Sequence, residues 1–361
     1  MSLFLSPHHA ISKTAITMAL LTSLLPAAAH ADITFKDHRG VEIKLESPPE
    51  KVVTIVRSGP ILYRAVDGTA DHISAVNKSF FTRDYISGRY GEILPELGKL
   101  AATAAREGFV PNVEALLEIH PDVIIQWATE PQNIEPLERV GLTVVGWNCC
   151  TEADRRDYLT ISGKMSGKTQ QAEKILAAQD ASNAVLRERF RTFDSADAVS
   201  LLQVDQLNDQ IRVIANASLD FSLSGVNTPA ADDSNVWWKT VDLEQIYVWN
   251  PQMILIPPYA RDLTPETFYS NPLLASLDAV ENRRVYKIPA FAGSPDGPEI
   301  YLVSAWIAAL AHGADAAPDF RANVRQAYKT IYDIELADAQ IDRILWMEEN
   351  AGSQAYGSLF E

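Results

Sequence analysis

One phrase occurs twice in this chain, and it sets the architecture. Residues Val113–Ile125 read V-E-A-L-L-E-I-H-P-D-V-I-I, and residues Leu243–Leu255 read L-E-Q-I-Y-V-W-N-P-Q-M-I-L. Each copy has an acid, six residues, a proline, one polar residue and an aliphatic run. Asn112 and Asp242 stand before the copies as N-caps. A proline disfavours helical geometry in the residue before it, so a helix opening at either cap must stop there. An unbroken aliphatic run after the stop suits a parallel strand buried on both faces. Glu114 and Glu244 lie 130 residues apart, which is too long for a solenoid period. Two α/β lobes on one plan satisfy the spacing, and two lobes make a cleft between them.

Other segments extend the plan. Residues 33–46 alternate apolar and polar around Asp37-His38-Arg39-Gly40, a hairpin pattern. Strands are expected at Val52–Val56, His72–Val76, Val123–Trp127 and Thr143–Trp147, giving a first lobe over residues 32–160. Residues 166–193 lack proline and carry one glycine, Gly167, with apolar residues at helical spacing. This predicts one long helix, a stiff connector within residues 161–195. The second lobe then spans residues 196–361, with strands at Val199–Val204, Ile211–Ile214, Met253–Ile256 and Arg284–Ile288. Asn350–Glu361 reads as a frayed tail.

Residues 1–31 have the pattern of a cleaved export signal. Lys13 is their only formal charge, Ala15–Leu25 is apolar but short, and Pro26 precedes the small-x-small site Ala29-His30-Ala31. No cysteine adjoins that site, so a soluble periplasmic protein without a lipid anchor is expected, starting at Asp32. A net charge of −16 with no basic run argues against nucleic acid and anionic membrane surfaces. An anionic ligand must therefore be met by a local basic pocket. The only two cysteines, Cys149 and Cys150, are adjacent. They exclude a disulfide framework, and a thiolate metal site needs more ligands. Their expected role is to shape the loop after Trp147, as thiols or as an oxidised pair.

In open α/β sheets, ligands bind beyond the carboxyl ends of the strands. That rule selects Arg57, Ser58, Lys78, Trp127 and Trp147 in the first lobe. In the second it selects Asn208, Tyr259 and Phe291, with Trp238 just ahead of the repeated phrase. Aromatic, cationic and polar groups together suit a bulky, anionic, partly aromatic ligand, although each tryptophan also suits a half-buried packing role. After the signal, the histidines are His38, His72, His120 and His312, none spaced as metal ligands. No G-x-S-x-G, Walker loop or G-x-G-x-x-G occurs. No catalytic residue, cofactor or bare metal site is expected. Glu114 and Glu244 have two readings. A first-turn acid stabilises its helix by about 0.3–1 kcal/mol through the dipole. Two acids placed alike on two lobes also suit paired arginines of a symmetric partner.

At these residues the chain resembles the periplasmic substrate-binding proteins of iron-siderophore, haem and cobalamin ABC importers. The resemblance is carried by Ile33–Gly40 with Pro48–Val53, by Pro111–Glu114 with Pro121–Ile125, and by Trp238–Glu244. Pro298-Glu299 with Trp306, and Phe320–Leu345 around Tyr328 and Tyr332, continue it. One departure is Ser224-Gly225-Val226-Asn227, where the family often has Gly-Gly-x-Asn. The resemblance implies an α/β fold of two Rossmann-like lobes connected by a single long helix, with the ligand cleft between them. It implies a monomer, not an enzyme, that carries a metal chelate to an inner-membrane ABC permease, docking through Glu114 and Glu244. The expected ligand is a ferric siderophore or similar iron complex. Cobalamin and haem are the alternatives, with Tyr259 as an axial haem ligand, and a metal-chelate-processing enzyme is the competitor from another class.

Overall fold

A computed structural model of the chain describes residues 1–3, 32–106, 108–149, 151–193, 197–208, 210–215, 221–231 and 236–361. The expected export signal thus lies, beyond its first three residues, outside the described residues. The alternating segment forms the hairpin β1 (Ile33–Lys36) and β2 (Glu42–Leu45), antiparallel with Ile33 opposite Leu45. Asp37 pins its turn to the first sheet. The Arg39 Nε donates to its Oδ2 at 2.7 Å, and the Gly146 backbone N–H donates to the same oxygen at 2.8 Å.

The first sheet is wholly parallel. Its strands are β3 (Val52–Thr54), β4 (Ile73–Val76), β5 (Val123–Trp127) and β6 (Val144–Trp147), in the order β4-β3-β5-β6. Every residue of β3, β5 and β6 is buried, as unbroken aliphatic runs require. The second sheet holds β7 (Val199–Leu207), β8 (Ile211–Ile214), β9 (Val226–Asn227), β10 (Trp238–Val241), β11 (Met253–Ile256) and β12 (Val285–Lys287). Its order is β10-β8-β7-β11-β12, with β9 beside the start of β7. β7, β11 and β12 run parallel, β8 runs antiparallel to β7, and β10 runs antiparallel to β8.

The repeated phrase folds the same way twice. Helix Val113–Ile119 ends at His120 with φ +51°, and helix Leu243–Trp249 ends at Asn250 with φ +35°. A left-handed residue turns each chain out of the helix, Pro121 and Pro251 are buried, and an inner strand follows. Only the second N-cap makes its bond: Asp242 Oδ1 accepts from the Gln245 N–H at 2.8 Å.

The connector is shorter than the uninterrupted helix expected over residues 166–193. Gly167 adopts φ +72° and ends helix Glu152–Ser166, and a separate helix, Thr169–Arg189, makes the crossing. This connecting helix packs on Glu152–Ser166, Gly59–Asp67, Leu302–His312 and Phe320–Tyr332, so it touches elements of both lobes. The apolar core is continuous through it, from Phe35 and Val52 past Ile175 to Met253, Tyr286 and Trp306. Smaller cores cover the outer face of each sheet. The lobes also meet directly: a Cβ on Gly293 would lie 2.3 Å from the Gly88 nitrogen, so backbone rests on backbone there.

The C-terminal segment corrects the frayed-tail expectation. Asn350 is buried and closes the edge of β12, accepting from the Lys287 N–H at 2.7 Å and donating to its carbonyl at 3.0 Å. Helix Tyr356–Phe360 then covers Trp306. Residues 32–361 form one unit, and no helix among the described residues is long and apolar enough to cross a membrane.

Candidate ligand-binding cleft

β3, β5 and β11 deliver their carboxyl ends to one gap between the lobes, and β7 lines it from mid-strand with Gln203. The gap is a cleft of about 360 Å³. Phe109 and Trp127 line it from the first lobe, and Trp237, Trp238 and Tyr259 from the second. Trp127 meets Phe109 edge-on with centroids 5.9 Å apart, and Trp237 and Trp238 lie 6.2 Å apart. Trp238 remains 46% exposed. A large ring left this open at a cleft mouth has unused contact area to offer a ligand.

The polar lining carries more charge than the walls suggest. Arg57 pairs through Nε with Asp84, which is fully buried and lies behind the wall. Burial pushes the Asp84 carboxyl up to about 6, against the pull of Arg57. Arg83 lines the cleft with its guanidinium 4.9 Å from the centroid of the Tyr259 ring. Burial and the nearby Arg57 both lower its pKa. The Tyr259 hydroxyl donates to Asp205 at 3.4 Å, and Arg212 grips Asp205 with two bonds of 2.8 and 2.9 Å. Burial and Asp205 push the Tyr259 phenol up to about 12. Ser58 donates to Asp296 at 3.3 Å. Behind them, buried Glu299 accepts from Tyr90 at 2.6 Å and from Tyr332 at 2.8 Å. Burial pushes Glu299 up to about 7, and the two tyrosines oppose it.

A model of the family described as "Periplasmic binding protein" matches residues 95–292, more than half of the chain. The chain belongs to that family. Binding proteins of this family deliver small-molecule ligands to ABC permeases, and the relatives of this one are transport proteins, not enzymes. The iron(3+)-hydroxamate-binding protein of Bacillus subtilis is 22% identical over 264 residues, spanning 71% of this chain and 78% of that protein. The molybdate-binding protein of Haemophilus influenzae is 20% identical over 320 residues, spanning 81% and 88%. Among solved structures, a periplasmic solute binding protein from Veillonella parvula superposes with a TM-score of 0.77 at 23% identity, covering 89% of this chain and 99% of that one. The molybdate-bound Haemophilus influenzae protein gives 0.71 at 18% identity, covering 84% and 99%. At such identities the likeness establishes the fold.

In this periplasmic binding protein, Arg57, Ser58, Trp127, Trp238 and Tyr259 come together at the cleft as expected from the strand ends. Four other candidates do not. Trp147 is fully buried and stacked on Tyr158 at 4.5 Å, because helix Glu152–Ser166 covers β6. Phe291 is core, against Phe320 at 6.3 Å. Asn77 spends its amide on the Ile55 and Gly108 carbonyls, and Lys78 beside it turns to solvent. β7 runs to Leu207, past the expected Val204, and carries Asn208 into the β7–β8 turn, where it accepts from the Gln210 N–H. Cys149 lines the cleft in disulfide form, and Cys150 lies outside the described residues. Glu114 and Glu244 are exposed on the first turns of matching helices, away from the lining; Arg106 reaches Glu114 at 3.5 Å. Trp237 lines the cleft beside Trp238, and sequence reasoning missed Arg83, Phe109 and Asp296. Among the described residues, no cluster of three His, Cys, Asp or Glu side chains could hold a metal ion.

Proposed function

We propose that this binding protein captures a metal chelate, a ferric siderophore or similar iron complex, and hands it to an inner-membrane ABC permease. The observation that carries the reading is the pairing of five aromatic side chains with cleft-facing arginines, with no donor set for a bare metal ion among the described residues. Aromatic walls desolvate the organic shell of a chelate, and the arginines meet its oxygen atoms. A bare oxyanion would use Arg83 and Ser58 but leave the aromatic faces without a partner. Haem ligation through Tyr259 is disfavoured, because its hydroxyl is turned to Asp205 at 3.4 Å and its ring face is taken by the Arg83 guanidinium. Two relatives in Bacillus subtilis named for iron, the hydroxamate-binding protein and an iron-uptake system-binding protein, support iron as the metal. Export fits the signal pattern of residues 1–31, and docking fits the matched exposure of Glu114 and Glu244.

The test is native mass spectrometry with an absorption spectrum of protein purified from an iron-limited periplasm. A ferric chelate mass with a charge-transfer band is expected. A haem or corrinoid spectrum, or a molybdate adduct with no chelate, would sink the assignment.

A further inference from the structure

We infer that the cleft is built for a ligand presenting one anionic group, which Arg83 meets, while Asp84 acts as the internal counter-ion that withholds Arg57 from a second. The inference rests on the chelate reading for the body of the ligand, but its charge logic is separate. Two guanidiniums, Arg57 and Arg83, face the same cleft. They differ in what stands behind them. Arg57 is neutralised by Asp84, whose carboxylate has no exposure of its own. Arg83, next to Asp84 in the chain, has no carboxylate within ion-pair distance among the described residues; its charge rests on the face of Tyr259. A ring face attracts the charge but offers no lone pair to the five N–H donors.

The remaining lining charges enforce the count. Asp296 accepts from Ser58 through Oδ2 while its Oδ1 has no hydrogen-bond partner, so its charge, felt by Arg155 and Arg57, adds negative potential that holds Arg57 further from a ligand anion. Glu130, also in the wall and bonded to Asn133, adds negative potential that penalises a further anionic group. A neutral ligand would leave Arg83 desolvated without an acceptor. A trianion would find Arg57 already claimed.

Tryptophan fluorescence titrations test this with four probes. They are a neutral ferric trihydroxamate, the same scaffold bearing one appended carboxylate, a ferric tris-catecholate of three negative charges, and molybdate as an anion without a chelate. The wild-type protein should prefer the monocarboxylate. Arg83→Gln should weaken that probe by roughly ten- to a hundredfold and erase its advantage over the neutral scaffold, and Arg83→Lys should restore part of it. Asp84→Asn frees Arg57 and should shift preference toward the tris-catecholate by about tenfold. If Asp84→Asn loses its cooperative melt, the Arg83 pair of variants still decides. Chelates that bind with affinities indifferent to charge and to Arg83→Gln would overturn the inference and leave the chelate reading standing. Binding of molybdate alone, weakened by Arg83→Gln, would do the reverse. Binding of none of the four would sink both.

Discussion

The guanidinium of Arg83, in the first lobe, lies 4.9 Å from the centroid of the Tyr259 ring in the second. Tyr259 in turn passes its hydroxyl hydrogen to Asp205, which Arg212 holds. One wall of the cleft is therefore a relay of alternating charge and ring that crosses from lobe to lobe.

Tyr259→Phe keeps the ring under Arg83 and removes only the bond to Asp205. It should lower ligand affinity by no more than about 1 kcal/mol and leave the absorption spectrum of loaded protein unchanged. A haem band that vanished on this substitution would show that the phenol is a metal ligand after all.

Arg57 lines the cleft but is also tied into the fold through buried Asp84. Arg57→Ala strands the Asp84 carboxyl in the interior and should destabilise the fold by roughly 3–5 kcal/mol, the cost of breaking a buried pair. Adding Asp84→Asn should recover much of that. Urea denaturation of the two single variants and the double variant measures the coupling; strictly additive losses would mean that the pair is not energetically linked.

Glu114 and Glu244 offer a clean separation of transport from binding. Reversing both charges should abolish uptake in cells while changing ligand affinity in vitro by less than about twofold. Normal transport by the double variant would return both residues to the helix-dipole role.

Glu299 gives stability a defined pH dependence. Its folded pKa of about 7 lies above the ordinary glutamate value of about 4.3. The folded state thus binds the proton more tightly than the unfolded state. That contribution is fully present below the ordinary value and is lost as pH rises through about 7. Between pH ~5 and ~8 the wild-type protein should lose stability on the order of 3 kcal/mol from this group. Glu299→Gln should flatten the slope of the urea midpoint against pH. It will not abolish the slope, because Asp84 is displaced in the same direction. Superimposable slopes would refute the assignment.

Much of the fold was legible because its signal was local and repeated. Proline after a short amphipathic phrase fixed helix, stop and inner strand in both lobes. The C-terminal segment was misread because polar composition there hides long-range work: Asn350 serves β12, and Tyr356 and Phe360 serve Trp306. In the cleft, the strand-end rule found residues at or just past a strand end, such as Trp127, the last residue of β5, and Arg57, three residues after β3. It failed for Trp147, whose burial depends on a helix packed over an edge strand, and for Asn208, whose strand ran on. Arg83 was invisible to it, since the segment Phe80–Tyr85 is a short, wide π-helical turn whose arginine has meaning only opposite Tyr259.

The unbroken core along the connecting helix has a thermodynamic consequence. Lobes that share Ile175, Met253 and Tyr286 with the first sheet in one apolar cluster cannot melt independently. Occupying the cleft therefore raises the unfolding free energy of the whole 32–361 unit at once, by RT ln(1 + [L]/Kd). If the permease docks through Glu114 and Glu244 as proposed, that shared core makes the contents of the cleft mouth, rather than a loosened lobe, the mark of the loaded state.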